Sequence, residues 1–193
     1  MIILDLDNNM IRRSVLLSTI LLSFVAATAY SQEQLETHFA ISEGGTLTLM
    51  VPKPLGNYTN FSSADGKSSL IFGPSPSPPF LINIYTVIPA GVSDSNFMRN
   101  ALRRHVEDDA TKYAVSAVEP DVQIREFDGP YVSGYSFSLT DRAPKPDEYK
   151  YLTEVMLRSG RLVMTGYVFT NDGASDVVDD AIEMLKNARY EDE

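Results

Sequence analysis

Apolar residues recur along this chain at two spacings, every second position and every third or fourth. His38–Ser42 and Thr46–Val51 alternate polar and apolar side chains around Gly44-Gly45. That pattern predicts a β-hairpin, ended by Pro52 and Pro54. Gln32–Thr37 reads as a flexible polar lead-in and Asn57–Lys67 as a loop. Ser68–Gly73 is a short strand. Pro74-Ser-Pro-Ser-Pro-Pro79 lacks backbone donors at four positions, so it is an extended connection. Phe80–Ile88 is apolar on both faces, which predicts a central strand.

The period changes over Ser93–Tyr113, where Phe97, Met98, Ala101, Leu102, Val106, Ala110 and Tyr113 form one stripe. This predicts an amphipathic helix capped by Ser93, Asp94 or Ser95. Its outer face carries the i,i+4 pairs Arg103–Glu107, Arg104–Asp108 and His105–Asp109, worth tenths of a kcal/mol each. Strands follow at Val122–Phe127 and Tyr131–Thr140, the second with Tyr131, Tyr135, Phe137 and Leu139 on one face. Tyr149–Arg158 and Arg161–Thr170 flank Ser159-Gly160, a two-residue hairpin loop. That loop sets Leu157 against Leu162 and Val155 against Met164. The other face of this hairpin is also apolar, with Met156, Val163, Leu152 and Tyr167 beside Glu154. Either helices cover both faces, or the second face meets a partner. Val177, Val178, Ala181, Ile182, Leu185 and Ala188 define a closing helix, and Arg189–Glu193 reads as a frayed acidic tail.

The predicted order is ββββαββββα. Grouped hairpins separated by helices indicate an α+β fold with a mainly antiparallel sheet, in a single domain over residues 38–190. Roughly 160 residues bury enough surface for one core.

Ahead of that domain, Arg12-Arg13 precede the uncharged apolar run Ser14–Val25, and Ala27-Thr28-Ala29 places small residues at −3 and −1. This is the pattern of a secretory signal peptide over residues 1–29. Cleavage after Ala29 is the first reading and cleavage after Ser31 the second. Asp5 and Asp7 fit an n-region badly, which suggests that translation starts at Met10. The apolar run is shorter than the roughly 20 residues of a spanning helix, so no stable membrane span is expected after cleavage. The localisation expected is export, to a periplasm or the extracellular space.

Charge and composition narrow the function. With 16 Lys+Arg, 26 Asp+Glu and a net charge of −10, the chain is a poor match for nucleic acid. Without Cys it has no disulfide framework, thiolate metal site or lipid-bearing cysteine. Residues 1–29 carry two acidic and two basic side chains, so their removal leaves the net charge unchanged.

Several stretches together resemble the PsbP-like family. They are Gly44-Gly-Thr-Leu-Thr-Leu-Met-Val-Pro52, Gly134-Tyr-Ser-Phe-Ser-Leu-Thr-Asp141, Tyr149-Lys-Tyr-Leu-Thr153, Phe169-Thr-Asn-Asp172 and Ala181–Arg189. The resemblance spans residues 38–190 in element order. It implies the α/β/α sandwich shared by the photosystem II extrinsic protein, the Ran-binding Mog proteins and DcrB-type envelope proteins. It also implies a non-enzymatic binding or assembly role. The chain departs from the family after Pro52, where Lys53-Pro54-Leu55-Gly56 stands in place of a Gly-Trp. No ligand-binding residue is carried over.

The residues themselves offer no catalytic constellation. Neither His38 nor His105 sits beside a nucleophile in a triad-like pattern, and both read as solvated or edge residues. Glu107-Asp108-Asp109 and Asp179-Asp180 read as solvated helix faces, because adjacent helical side chains diverge. Asp141, Asp147 and Glu148, in or beside one loop, are weak candidates for a metal. No cofactor is expected. Asn171-Asp172-Gly173 reads as a capped turn, with an anion site as the alternative. The sequons Asn57-Tyr-Thr59 and Asn60-Phe-Ser62 mark a surface loop.

Tyr131, Tyr135, Tyr149, Tyr151 and Tyr167, with Arg142 of the Arg142–Glu148 loop, are the candidate partner-binding residues. The expected partner is another envelope protein, with self-association through the second sheet face as a further option. A small-ligand-binding protein and a metal-dependent hydrolase using an acidic cluster are the alternatives. Convergent carboxylates would favour the enzyme, an apolar cavity the ligand binder, and an exposed aromatic patch the partner protein.

Overall fold

The structure is a computed structural model that describes residues 33–42, 44–55, 58–62, 68–73, 79–90, 95–173 and 175–192. The cleavage positions Ala29 and Ser31, the start at Met10, Asn57 and the helix caps Ser93 and Asp94 lie outside the described residues. The strands are β1 (Gln34–Ala40), β2 (Thr46–Pro52), β3 (Tyr58–Ser62), β4 (Ser68–Phe72), β5 (Phe80–Val87), β6 (Arg125–Asp128), β7 (Val132–Thr140), β8 (Tyr151–Ser159), β9 (Leu162–Thr170) and β10 (Arg189–Glu191). The helices are α1 (Ser95–Ala114) and α2 (Ser175–Lys186), and a 3-10 turn spans Lys53–Leu55. They build two antiparallel sheets, one ordered β1-β2-β10 and one ordered β3-β4-β5-β9-β8-β7-β6. The fold is mixed α+β, as the alternation predicts.

Strand alternation sorts the larger sheet into two faces. On one, Leu70, Phe72, Ile82, Ile84, Val155, Leu157, Leu162, Met164 and Val168 are buried in a core. Helix α2 supplies Ala181, Met184 and Leu185 to it, and the small sheet supplies Phe39, Leu47, Leu49 and Val51. On the opposite face α1 lays Met98, Leu102, Val106 and Ala110 over Tyr135, Phe137, Leu139, Met156 and Val163. Strand β8 is therefore packed on both faces, by α1 on one and by the core that α2 shares with the small sheet on the other, which is why it is apolar on both sides.

Besides moving the strand expected at Val122–Phe127 to Arg125–Asp128, the structure corrects four local readings. Gln34–Thr37 is strand, not flexible lead-in: it continues β1 against β2 with Leu35 opposite Val51. Tyr58–Ser62, inside the segment read as a loop, is an edge strand paired with β4. Its polar composition hides it, since an edge strand needs little apolar content. Arg189–Glu191 is no frayed tail. It adds to β2 with Tyr190 opposite Leu47, and Tyr190 is buried with its hydroxyl donating to the Gly44 carbonyl at 2.8 Å.

The fourth correction is the β8–β9 register. Leu157 faces Met164 and Val155 faces Gly166, because Ser159 pairs with Leu162. The loop is Gly160-Arg161, one residue later than expected. Gly160 has φ +57° and Arg161 has no positive φ, the geometry of a turn that wants glycine at its first central position. Each expected pairing is displaced by two residues, which preserves every side chain's face.

Close approach fixes the β6–β7 turn. A Cβ on Gly129 would lie 2.0 Å from the Lys186 carbonyl oxygen, so glycine lets this turn abut the end of α2. Of the three expected ion pairs on α1, Arg103–Glu107 forms at 2.8 Å and His105–Asp109 at 3.4 Å. Arg104 donates to the Asn100 carbonyl. Among the described residues, no helix is long and apolar enough to cross a membrane.

Candidate functional site: an aromatic ladder on the open half of the sheet

Helix α1 lies across β7 and β8. On the same face, β5 and β9 present a different surface. Tyr85 and Val87 are exposed there, at 43% and 38%, and Leu81, Tyr167 and Phe169 are partly exposed. Pairing in register places Tyr85 opposite Thr165 and Asn83 opposite Tyr167. The rings consequently meet in sequence across the face. Tyr85 meets Tyr167 edge-on at 6.0 Å, Tyr167 stacks with Phe169 at 6.3 Å, and Phe169 meets Tyr149 at 5.7 Å. Each contact lies within the range where aromatic pairs attract. Ser69 donates to Asn83 at 3.0 Å and Asn83 to the Tyr85 hydroxyl at 2.7 Å, which holds the exposed end of the ladder.

Where the ladder runs under the margin of α1, a carboxyl is buried. Glu154 on β8 lies opposite Tyr167 on one side and Phe137 on the other. It is 0% exposed, and neither carboxylate oxygen has a hydrogen-bond partner among the described residues. Burial foremost, and then the nearby charge of Asp109, push Glu154 up to about 8, with Lys112 opposing. Burial, then Glu154, also raises the Tyr167 hydroxyl. An unpaired charge is costly in this setting, so the group sits as the neutral acid at pH 7.

The candidate residues from the sequence fall in four places. Tyr149 and Tyr167 belong to the ladder. Tyr135 is buried beneath α1, where its hydroxyl accepts from Arg99 Nε at 3.4 Å. Tyr151 points to the opposite face of the sheet, beside Gly173. Tyr131 precedes β7, is 56% exposed and lies under the Arg189 guanidinium at 5.9 Å. Arg142 pins its loop by donating from Nη2 to the Ala117 carbonyl at 2.6 Å. Sequence reasoning put Phe169 on the same hairpin face as Tyr167 but named neither it nor Tyr85 as a candidate. Parity along each strand signals their face, but only the β5–β9 pairing brings them together.

The three carboxylates considered for a metal have local roles or positions. Asp141 accepts from the Ala143 amide at 2.9 Å. Glu148 accepts from the Lys145 amide and ammonium at 3.0 and 3.2 Å, bonds that hold its carboxyl below the usual range. Asp147 occupies a turn at φ +70°. Among the described residues, no three His, Asp or Glu side chains are grouped to hold a metal ion.

Fold and surface together define a mixed α+β protein of two antiparallel sheets with an aromatic ladder on an open sheet face. No family model matches the chain, and no curated protein matches it.

Proposed function

We propose that this protein is an exported, non-enzymatic binding or assembly factor of the cell envelope, of the PsbP-like α/β/α kind. It engages another envelope protein through the open half of its larger sheet. The observation that carries this reading is the four-ring ladder Tyr85–Tyr167–Phe169–Tyr149 on a face that α1 leaves uncovered. Tyrosine suits a contact surface, because its ring supplies apolar area while its hydroxyl stays hydrated. Anchors of this type carry much of the energy of protein interfaces. The leader pattern Arg12–Ala29 supports export, and the motifs quoted from Gly44–Pro52, Gly134–Asp141 and Tyr149–Thr153 support the family resemblance.

Site-specific photocrosslinking tests the reading. A photoreactive side chain at Tyr85 or Tyr149 should give the same adduct in intact cells, and one at Arg103 on the outer side of α1 should not. Equal adducts from all three positions, or none from the ladder, would defeat it. An adduct of twice the protein's own mass would turn the reading to self-association. N-terminal sequencing of the protein from the envelope fraction tests export, and an uncleaved N-terminus in the cytosol would refute it.

A further inference from the structure

The small sheet carries a surface separate from the ladder, and its use does not depend on the partner-binding reading. Strand β1 ends that sheet, with β2 on one side and no strand on the other among the described residues. It runs for seven residues, whereas the other edge strands, β3, β6 and β10, have five, four and three. Edge strands are normally kept short, or guarded by proline, lysine or an inward-pointing charge. β1 has none of these guards. Its sequence holds no Pro or Lys, and the residues on its core side are Leu35, Thr37 and Phe39.

Two hydrogen bonds fix which way its backbone groups point. The Ile41 amide donates to the Gly45 carbonyl and the Lys53 amide to the Glu33 carbonyl, both at 3.1 Å. Odd-numbered residues of β1 therefore turn their backbone groups toward β2, and Gln34, Glu36, His38 and Ala40 turn theirs outward. All four of these residues are exposed. Leu35, on the core side of the same strand, is 64% exposed and is uncovered where Phe39 is buried.

An edge of this kind accepts another strand, and the side chains of β1 select a second copy of β1 itself. Outward-pointing backbone groups pair only with outward-pointing ones, so an antiparallel second copy can centre on Glu36, on Thr37 or on His38. Centring on Glu36 sets two carboxylates against each other, and centring on His38 sets two imidazoles against each other. Centring on Thr37 sets Glu36 of each copy opposite His38 of the other and overlaps all seven residues. Opposed unlike groups favour a strand pair, and like charges disfavour it. The imidazole is already oriented for this, with Nδ1 at 3.0 Å from Thr48 Oγ1 and Nε2 on the Glu36 side, 3.6 Å from its carboxylate. In the same register Leu35 lies opposite Phe39 of the second copy, in a close pair of the non-hydrogen-bonded type that covers the exposed leucine. We propose that two copies of this chain associate edge to edge through β1, antiparallel about Thr37, and join their small sheets into one of six strands.

The chain has no cysteine, so single cysteine variants of the full chain, oxidised with diamide, report the register directly. Thr37→Cys puts the two thiols on residues about 4.5 Å apart between Cα atoms, within the span a disulfide bridges, and should give a covalent dimer. Leu35→Cys leaves its two copies four residues out of register, about 13 Å apart, and should stay monomeric. Sedimentation equilibrium of the cysteine-free chain gives a second readout. Glu36→Pro removes an outward donor, spares the bonds to β2 and should abolish association. If that variant does not fold, His38→Glu decides the matter: it sets carboxylate against carboxylate and should weaken association about tenfold, and adding Glu36→His to it should restore the dimer. Tyr85→Ser, on the ladder, should leave association unchanged. A monomeric Thr37→Cys variant, equal crosslinking from both cysteine positions, indifference of association to His38→Glu, or its loss in Tyr85→Ser would overturn the proposal.

Discussion

The two faces of the seven-stranded sheet are built from the same strands but are covered in different ways. On the α2 face, a helix and a second sheet close over Phe72, Ile82, Leu157 and Met164 until nothing of them remains exposed. On the α1 face, one helix covers β7 and β8 and leaves the β5–β9 half open, with Glu154 shut in near the boundary. Helix α2 is amphipathic in the ordinary way, with Ala181, Met184 and Leu185 all buried. Helix α1 backs its apolar stripe with Arg103, Arg104, Glu107 and Asp108, and it closes its face without the small sheet, whose buried hydrophobic residues all belong to the other core. One side of the sheet is thus closed over, and the other retains exposed aromatic surface.

Leu157→Ala should separate the faces most strongly. It removes a fully buried side chain from the closed side and should cost about 2–5 kcal/mol in denaturant unfolding. A loss below about 1 kcal/mol would mean that the closed face is loosely packed.

Glu154 gives the next effect, and its sign can be worked out. Its folded carboxyl holds a proton up to about pH 8, whereas in the unfolded chain it ionises near the ordinary value. Between those limits the folded state binds more protons. The contribution of Glu154 to stability is therefore fully present below about pH 4 and is lost as pH rises to about 8, by a total on the order of a few kcal/mol. Glu154→Gln should flatten this slope in urea unfolding followed across pH, and should leave the variant more stable than the parent at pH 8. An unchanged slope would place the titration elsewhere.

A smaller change is expected at Tyr190→Phe. It loses the bonds from the hydroxyl to the Gly44 carbonyl and Asp192, at about 0.5–1.5 kcal/mol. Equal stability of parent and variant would show that these bonds add nothing net. An effect of similar size, about 0.5–1.5 kcal/mol, is expected for Tyr85→Ser on the open face, which gives up the ring contact with Tyr167. The same change should remove the crosslinked partner. Loss of the adduct in a variant that stays folded would mark the ladder as a contact surface, and its retention would count against that role.

How much of this was legible follows from what each element depends on. Period-two alternation fixed the faces of β7, β8 and β9 outright, and a hairpin register off by two residues left those faces intact. The same parity puts Tyr151 and Tyr167 on opposite faces, although both stood in one set of partner-binding candidates. Met184, by contrast, escaped the stripe read for α2 and is fully buried. The short strand β10 carries one apolar residue, Tyr190, between Arg189 and Glu191. Nothing local marks it, because its stability comes from β2, more than a hundred residues earlier in the chain. The burial of Glu154 was equally hidden: a lone acid in an apolar alternation shows its address, but only the lie of α1 determines whether water reaches it. The ladder needed the β5–β9 pairing, which joins segments separated by α1 and three strands.

The small sheet also constrains the order of events in folding. Strand β2 pairs with β1, which is close in sequence, and with β10, and the bond from Tyr190 to Gly44 spans 146 residues. Pairings so distant pay their loop-closure entropy before any contact rewards them, and they slow the search for the native state. A chain that has emerged only as far as α2 lacks the strand that completes this sheet. The edge of β2 that β10 will occupy stays vacant until Arg189–Glu191 arrives, so the final closure of the fold waits on synthesis of the farthest segment that takes part in it.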